Sequence, residues 1–167
     1  MSEKEQKALR TVKNYMWWSM GAGLVPVPFL DLLAVSGVQL KMLADTAKIY
    51  DVEFHESRGK AIVGALVGYI VPNTLSFGSV GSLLKGIPLV GPLVGAPSMV
   101  LFCGASTYAL GRIFIQHFNS GGTFLTFDAE KVQEHFRQLY AEGTKLAAEM
   151  ESSKPEEAPA PKTKSRA

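Results

Sequence analysis

The sequence predicts an all-α protein built from two helical hairpins with Gly/Pro corners, inserted in or associated with a membrane, followed by a C-terminal amphipathic helix and a disordered tail. Three observations lead there. The first is a block from Ala61 to Gly111, 51 residues in which Lys85 is the only charged side chain, in a chain that is 19% charged overall. The second is apolar spacing by threes and fours in the flanking segments, the period of an α-helix with one buried face. The third is a pair of similar corners, Gly-Leu-Val-Pro-Val-Pro at 23–28 and Gly-Ile-Pro-Leu-Val-Gly-Pro at 86–92, each between helical stretches. Residues 1–150 therefore form one helical domain, with hairpins over 3–50 and 58–118 and a helix over 128–150; 151–167 form the tail.

Residues 3–20 carry Leu9, Val12, Met16 and Met20 on one side and lysines on the other. Trp17 and Trp18 close this helix where charge stops. An indole ring is apolar but its N–H needs a partner, so both are assigned to a membrane–water interface. Pro26 and Pro28 forbid a continuing helix and mark the first corner. Phe29–Tyr50 resumes as a helix, with Asp31 in its first turn, where a carboxylate is favoured by the helix dipole. DVEFHESRGK at 51–60 is a polar linker.

The long block opens next. A surface helix needs a polar stripe, and this block supplies no charged one, so lipid, other subunits or the rest of the chain must cover it. The 24 uncharged residues before Lys85 would make ~36 Å of helix at ~1.5 Å per residue, enough for a bilayer core of ~30 Å. Pro72 and Asn73 interrupt that run, and Pro88, Pro92 and Pro97 punctuate the return, with Pro88 and Pro92 forming the second corner. Breakers of this kind survive in lipid only where neighbouring helices satisfy the freed backbone groups. Gly64 and Gly68, four apart, are assigned to close helix packing, as are Gly104 and Gly111 in the returning helix. Lys85 sits in the connection. A full crossing would carry it to the far membrane surface, whereas a shallow wedge would bury it unless it snorkels. The hydroxyls of the block, Ser106 and Thr107 among them, suit either a pore lining or stitching between helices.

After NSGGTFLTF, read as a turn with a short extended piece, Asp128 is placed as an N-cap. Val132, Phe136, Leu139, Gly143, Leu146 and Met150 form a single apolar seam behind it. The mixed-charge, Pro-rich end is the disordered tail. Lys4, Lys7, Arg10 and Lys13 ahead of an apolar run resemble a signal peptide, but Glu3, Glu5, Pro26, Pro28 and Asp31 break that pattern, so the chain is taken as mature from residue 1.

Composition excludes several functions. A net charge of +2 without basic clusters argues against nucleic acid, and the single Cys103 rules out an intrachain disulfide. His55, His117 and His135 lie in separate segments, so no metal site is expected. Gly81-Ser-Leu-Leu-Lys-Gly86 lacks the second Gly before the Lys and the Ser/Thr after it that a phosphate loop requires. No catalytic constellation, cofactor site or enzyme activity is expected.

Three phrases, GLVPVPFLDLLAVSGVQLKMLADTAKIYDV, KGIPLVGPLVG and STYALGRIFIQHFNSGGTFLTFDAEK, make the chain resemble the YcjF-like family over roughly residues 20–140. That bacterial domain of unknown function is found alone or C-terminal to a small GTPase domain. The resemblance implies association with the bacterial inner membrane and a working link to Era- or dynamin-like GTPases, here in trans because these 167 residues contain no GTPase domain. It implies no catalytic residues. The expected function is a non-enzymatic structural and interaction protein that binds membrane lipid, forms homo-oligomers through small-residue faces and organises or remodels the membrane. An oligomeric pore former and a soluble helical lipid-binding bundle remain as alternatives. Arg58 and Lys60 on one side of the block and Arg112 on the other place both flanks, and with them the termini, in the cytoplasm.

Overall fold

The computed structural model describes residues 1–22, 30–75 and 96–153. Five α-helices make up this part: α1 (Glu3–Ala22), α2 (Leu30–Ile49), α3 (Glu56–Leu75), α4 (Ala96–Asn119) and α5 (Gln133–Ser152), with a 3-10 turn at Glu130–Val132 ahead of α5. Among the described residues there is no strand, and the predicted all-α class holds. The corner residues Pro26, Pro28, Pro88 and Pro92, the connecting Lys85 and the tail beyond residue 153 lie outside the described residues.

α4 is the axis. Its apolar residues are spread around the helix, so it needs cover on several sides. α1 and α5 pack along it most extensively and α2 adds a third neighbour. Chain direction follows from the contacts. Val12 meets Gly111 and Met20 meets Gly104, which makes α1 antiparallel to α4. Lys4 Nζ reaches Asp51 at 2.7 Å while Tyr15 meets Asp45, which makes α1 antiparallel to α2. His135 bonds Gln116 at 2.7 Å while Ala147 lies beside Gly104, so α5 is antiparallel to α4 as well.

The main core holds Val12, Met42, Leu43, Leu66, Leu110, Phe114 and Phe136; a smaller cluster of Met16, Met20, Val100 and Ala147 lies towards one end. The predicted apolar spacings fall where expected: Val12, Met16 and Met20 of α1 are buried, and so are Phe136, Leu139 and Gly143 of α5.

Several expectations change in detail. α1 and α2 pack side by side as the first hairpin requires, but α3 touches α4 little and lies mainly on α2, reaching towards α5. Pro72 does not end its helix, since α3 continues to Leu75. A proline removes one N–H and strains one turn, which a helix can absorb near its end. Asp128 accepts the N–H groups of Glu130 at 3.2 Å and Lys131 at 3.4 Å, so it caps the 3-10 turn rather than α5 itself. α5 runs to Ser152, taking two residues assigned to the tail. The short extended piece expected within NSGGTFLTF is absent; residues 124–126 form a turn, held by the Thr123 N–H donating to Thr126 Oγ1 at 2.9 Å. It drops Phe124 and Phe127 onto Phe114.

Candidate functional site

The bundle has two unlike ends. One gathers the α1 N-terminus, the α2 C-terminus and the turn after α4. Its surface is ionic: besides Lys4 with Asp51, it carries Lys131 with Asp128 at 3.2 Å. Inside it Phe114, Phe118, Phe124 and Phe127 form a ring-on-ring plug, with Phe114 stacked on Phe127 at 4.6 Å and Phe54 edge-on to Phe124 at 5.3 Å.

At the other end the chain leaves α1 at Ala22, enters α2 at Leu30 and enters α4 at Ala96. Charge thins out towards it: α1 has none after Lys13, α4 none before Arg112, and α2 only Asp31 before Lys41. α5 alone keeps charges there, at Lys145, Glu149 and Glu151. Segments 23–29 and 76–95, which precede α2 and α4 in the sequence, carry a single charge between them, Lys85. Trp18 is 73% exposed, Trp17 39% and Met99 38%. The tryptophans are therefore not lids on a small core; with Gly21, Ala22 and Val38 they line a shallow, almost wholly apolar recess.

Beneath that surface four fully buried polar side chains tie α1, α2 and α4 together. Ser19 Oγ donates to the Cys103 carbonyl at 2.9 Å and accepts from Thr107 Oγ1 at 2.9 Å. Gln39 Nε2 donates to Ser106 Oγ at 3.1 Å and Thr107 Oγ1 at 3.3 Å, and Ser106 Oγ donates back to Cys103 O. Buried hydroxyls and amides are costly unless bonded, so this network fixes the register of three helices at the uncharged end. Ser106 and Thr107 thus stitch helices together. The sequence analysis missed Ser19 and Gln39, although Ser19, three residues after Met16 on the apolar face of α1, is the signal that reveals them.

The assigned glycines divide. A Cβ at Gly111 would overlap the Val12 side chain, and one at Gly104 would come within 2.8 Å of Met20 Cγ, so both allow close approach inside the bundle. Gly143 does the same for α5, its Cβ position lying 2.9 Å from the Ala105 carbonyl oxygen. Gly64 and Gly68 are exposed with nothing within 4 Å, and Ala61 and Ala65 are exposed beside them. They form a smooth outward stripe on α3.

Tyr15 donates to Asp45 Oδ2 at 2.5 Å, clamping α1 to α2. That hydrogen bond, with Lys48 and Lys41 nearby, holds the Asp45 carboxyl below its ordinary value, whereas burial and then Asp45 push the Tyr15 phenol up. Such shifts mark a structural clamp as readily as a reactive site. His117 pairs with the Thr123 carbonyl at 2.9 Å and His135 with Gln116 at 2.7 Å. Among the described residues no three metal-ligating side chains come together.

α4 is long and apolar enough to cross a bilayer, yet 67% of its most apolar stretch is buried within the bundle. Its hydropathy is explained by its place on the axis.

The family described as domain of unknown function DUF697 matches residues 1–145. The chain belongs to this family. It is the family found with GTPase-like domains, which the three phrases in the sequence pointed to. Among characterised proteins the chain is 33% identical over 143 residues to one named magnetosome membrane protein 22 from Magnetospirillum gryphiswaldense, covering 86% of this chain and 73% of the relative. No solved structure matches it.

Proposed function

We propose that this DUF697 chain is a non-enzymatic, membrane-associated structural protein of the bacterial cytoplasmic membrane, with both termini on the cytoplasmic side. The observation that carries the reading is the uncharged end of the bundle. Two helices begin there directly after apolar Gly/Pro stretches of the sequence, Trp17, Trp18 and Met99 are exposed there, and the helix register is locked beneath them. A water-exposed surface of this kind is an aggregation liability unless something apolar covers it. The kinship to a protein named for a membrane supports lipid as that cover. Lysines and arginines on the rest of the bundle suit the cytoplasmic face.

Within this reading the outward stripe of Ala61, Gly64, Ala65 and Gly68 is the face through which copies associate, because small residues let two helix backbones approach closely. Assembly of many copies would organise or bend the bilayer, and a GTPase supplied in trans would time that assembly. Fractionation of cells expressing the chain tests the base of the proposal. The chain should sediment with membranes and resist an alkaline carbonate wash. Recovery in the soluble fraction before the wash would favour a water-soluble bundle and end the proposal.

A further inference from the structure

We infer that the outward ridge of α1 binds the headgroup layer of an anionic bilayer, with Trp17 and Trp18 seated at the acyl boundary and Lys13, Arg10 and Lys7 on lipid phosphates. This rests on the membrane reading above and adds to it a docking face, an orientation and a lipid class.

The buried side of α1 is Ala8, Val12, Met16, Ser19 and Met20. Its opposite side is therefore Lys7, Arg10, Asn14, Trp17, Trp18 and Gly21 by helical periodicity, with Lys13 at the margin, and every one of these is exposed. This ridge is graded: Glu3 opens it in the first turn, the cations Lys7, Arg10 and Lys13 follow, and the indoles of Trp17 and Trp18 close it. Lys13 lies four residues before Trp17, ~6 Å along the axis, and Arg10 seven residues before it, ~10 Å, at ~1.5 Å per residue. With α1 inclined to the bilayer normal these depths shorten, and a tryptophan at the interface leaves Lys13, Arg10 and Lys7 within the headgroup layer.

The cations are also available. Lys4, Lys48, Lys60, Lys131 and Arg137 each have a carboxylate within 4.0 Å, whereas Lys7, Arg10 and Lys13 form no ion pair among the described residues. Three free cations on one ridge call for anions from outside, and the neighbouring indoles call for an apolar layer beneath those anions. A bilayer with acidic headgroups supplies both in that order.

Glu149 and Glu151, the carboxylates near this end, lie on α5 and not on the ridge.

Trp17 and Trp18 are the only tryptophans, so intrinsic fluorescence reports this ridge alone. The test uses the full chain with vesicles of phosphatidylcholine and with an equal mixture of phosphatidylcholine and phosphatidylglycerol, each with and without bromine on the upper acyl carbons. Sedimentation with both vesicle types is expected. Emission should shift to the blue and be quenched by bromine strongly in the mixed vesicles, and high salt should reverse this. Arg10→Gln and Lys13→Gln should each raise the anionic lipid needed for half-maximal quenching about fivefold, the effect of one cation near a charged surface. Circular dichroism should show unchanged helix content, since both side chains are exposed. Sedimentation with quenching indifferent to lipid charge, salt and both substitutions would overturn the ridge and leave the membrane reading intact. Failure to sediment with either vesicle would overturn both.

Discussion

The two ends of the bundle bury aromatic rings in opposite ways. At the ionic end four phenylalanines pack on one another, and the loop carrying Phe124 and Phe127 folds back to complete the set. At the other end two tryptophans stay outside, over a core of methionine and small residues. An end that meets water must finish its core within the chain, because nothing else covers it. An end that meets an apolar phase need not, and polar side chains that fix its geometry go inside, as Ser19, Gln39, Ser106 and Thr107 do. On the proposed reading the phenylalanine end points to water and the tryptophan end to lipid.

The largest effect should come from breaking the closed end. Phe114 is fully buried and touches Phe118, Phe124 and Phe127, so Phe114→Ala should cost about 3–5 kcal/mol in chemical denaturation. Trp18→Ala, at 73% exposure, should leave stability in solution within about 0.5 kcal/mol.

The glycines sharpen the contrast, because sign separates the inward from the outward ones. Gly111→Ala drives a methyl into the stiff β-branched Val12 and should cost about 1–3 kcal/mol. Gly64→Ala meets nothing and gains helix propensity, so it should stabilise the isolated chain by about 0.5–1 kcal/mol. Paired unfolding curves check both. Cross-linking in membranes then asks whether Gly64→Leu removes oligomers, as the proposed assembly face requires.

A smaller effect is expected at the clamp midway between the ends. The folded Asp45 carboxyl titrates below its ordinary 3.8, first because Tyr15 donates to it. Its contribution is therefore complete above that value and lost as pH falls from there through the depressed folded value. Tyr15→Phe should cost about 1.5 kcal/mol at neutral pH, the low end for a bond to a charged group since Asp45 is partly exposed, and should flatten the acid limb of stability. An unchanged acid limb would mean that Asp45 is held down by its lysines instead.

Much of this was legible in the sequence. The helices and the seams of α1 and α5 follow from apolar spacing, and the family follows from three phrases. What covers the uncharged block was not legible, because a helix surrounded by protein and one surrounded by lipid have the same composition; α4 belongs to the first kind over most of its length. Small residues on a helix face have the same limit. They mark close approach at Gly104 and Gly111 within the chain, but leave Gly64 and Gly68 facing outward. Pro72 was read as a break, yet a late position in a helix tolerates it. The hydroxyls of α4 acquired their role only when Ser19 and Gln39, from two other helices, met them.

Two engineered cysteines test the assignment of the ends most directly. Cys103 is buried and is the only cysteine, so Cys103→Ala gives a silent background. Gly21→Cys then marks the tryptophan end and Leu125→Cys the phenylalanine end; both sites are exposed, and Gly21 has nothing within 4 Å of an added Cβ. Right-side-out and inverted membrane vesicles are treated with an impermeant maleimide before and after detergent. The account predicts that position 125 labels at once in inverted vesicles, and that position 21 is protected in both orientations until detergent removes the lipid. Rapid labelling at 21 with protection at 125 would contradict it.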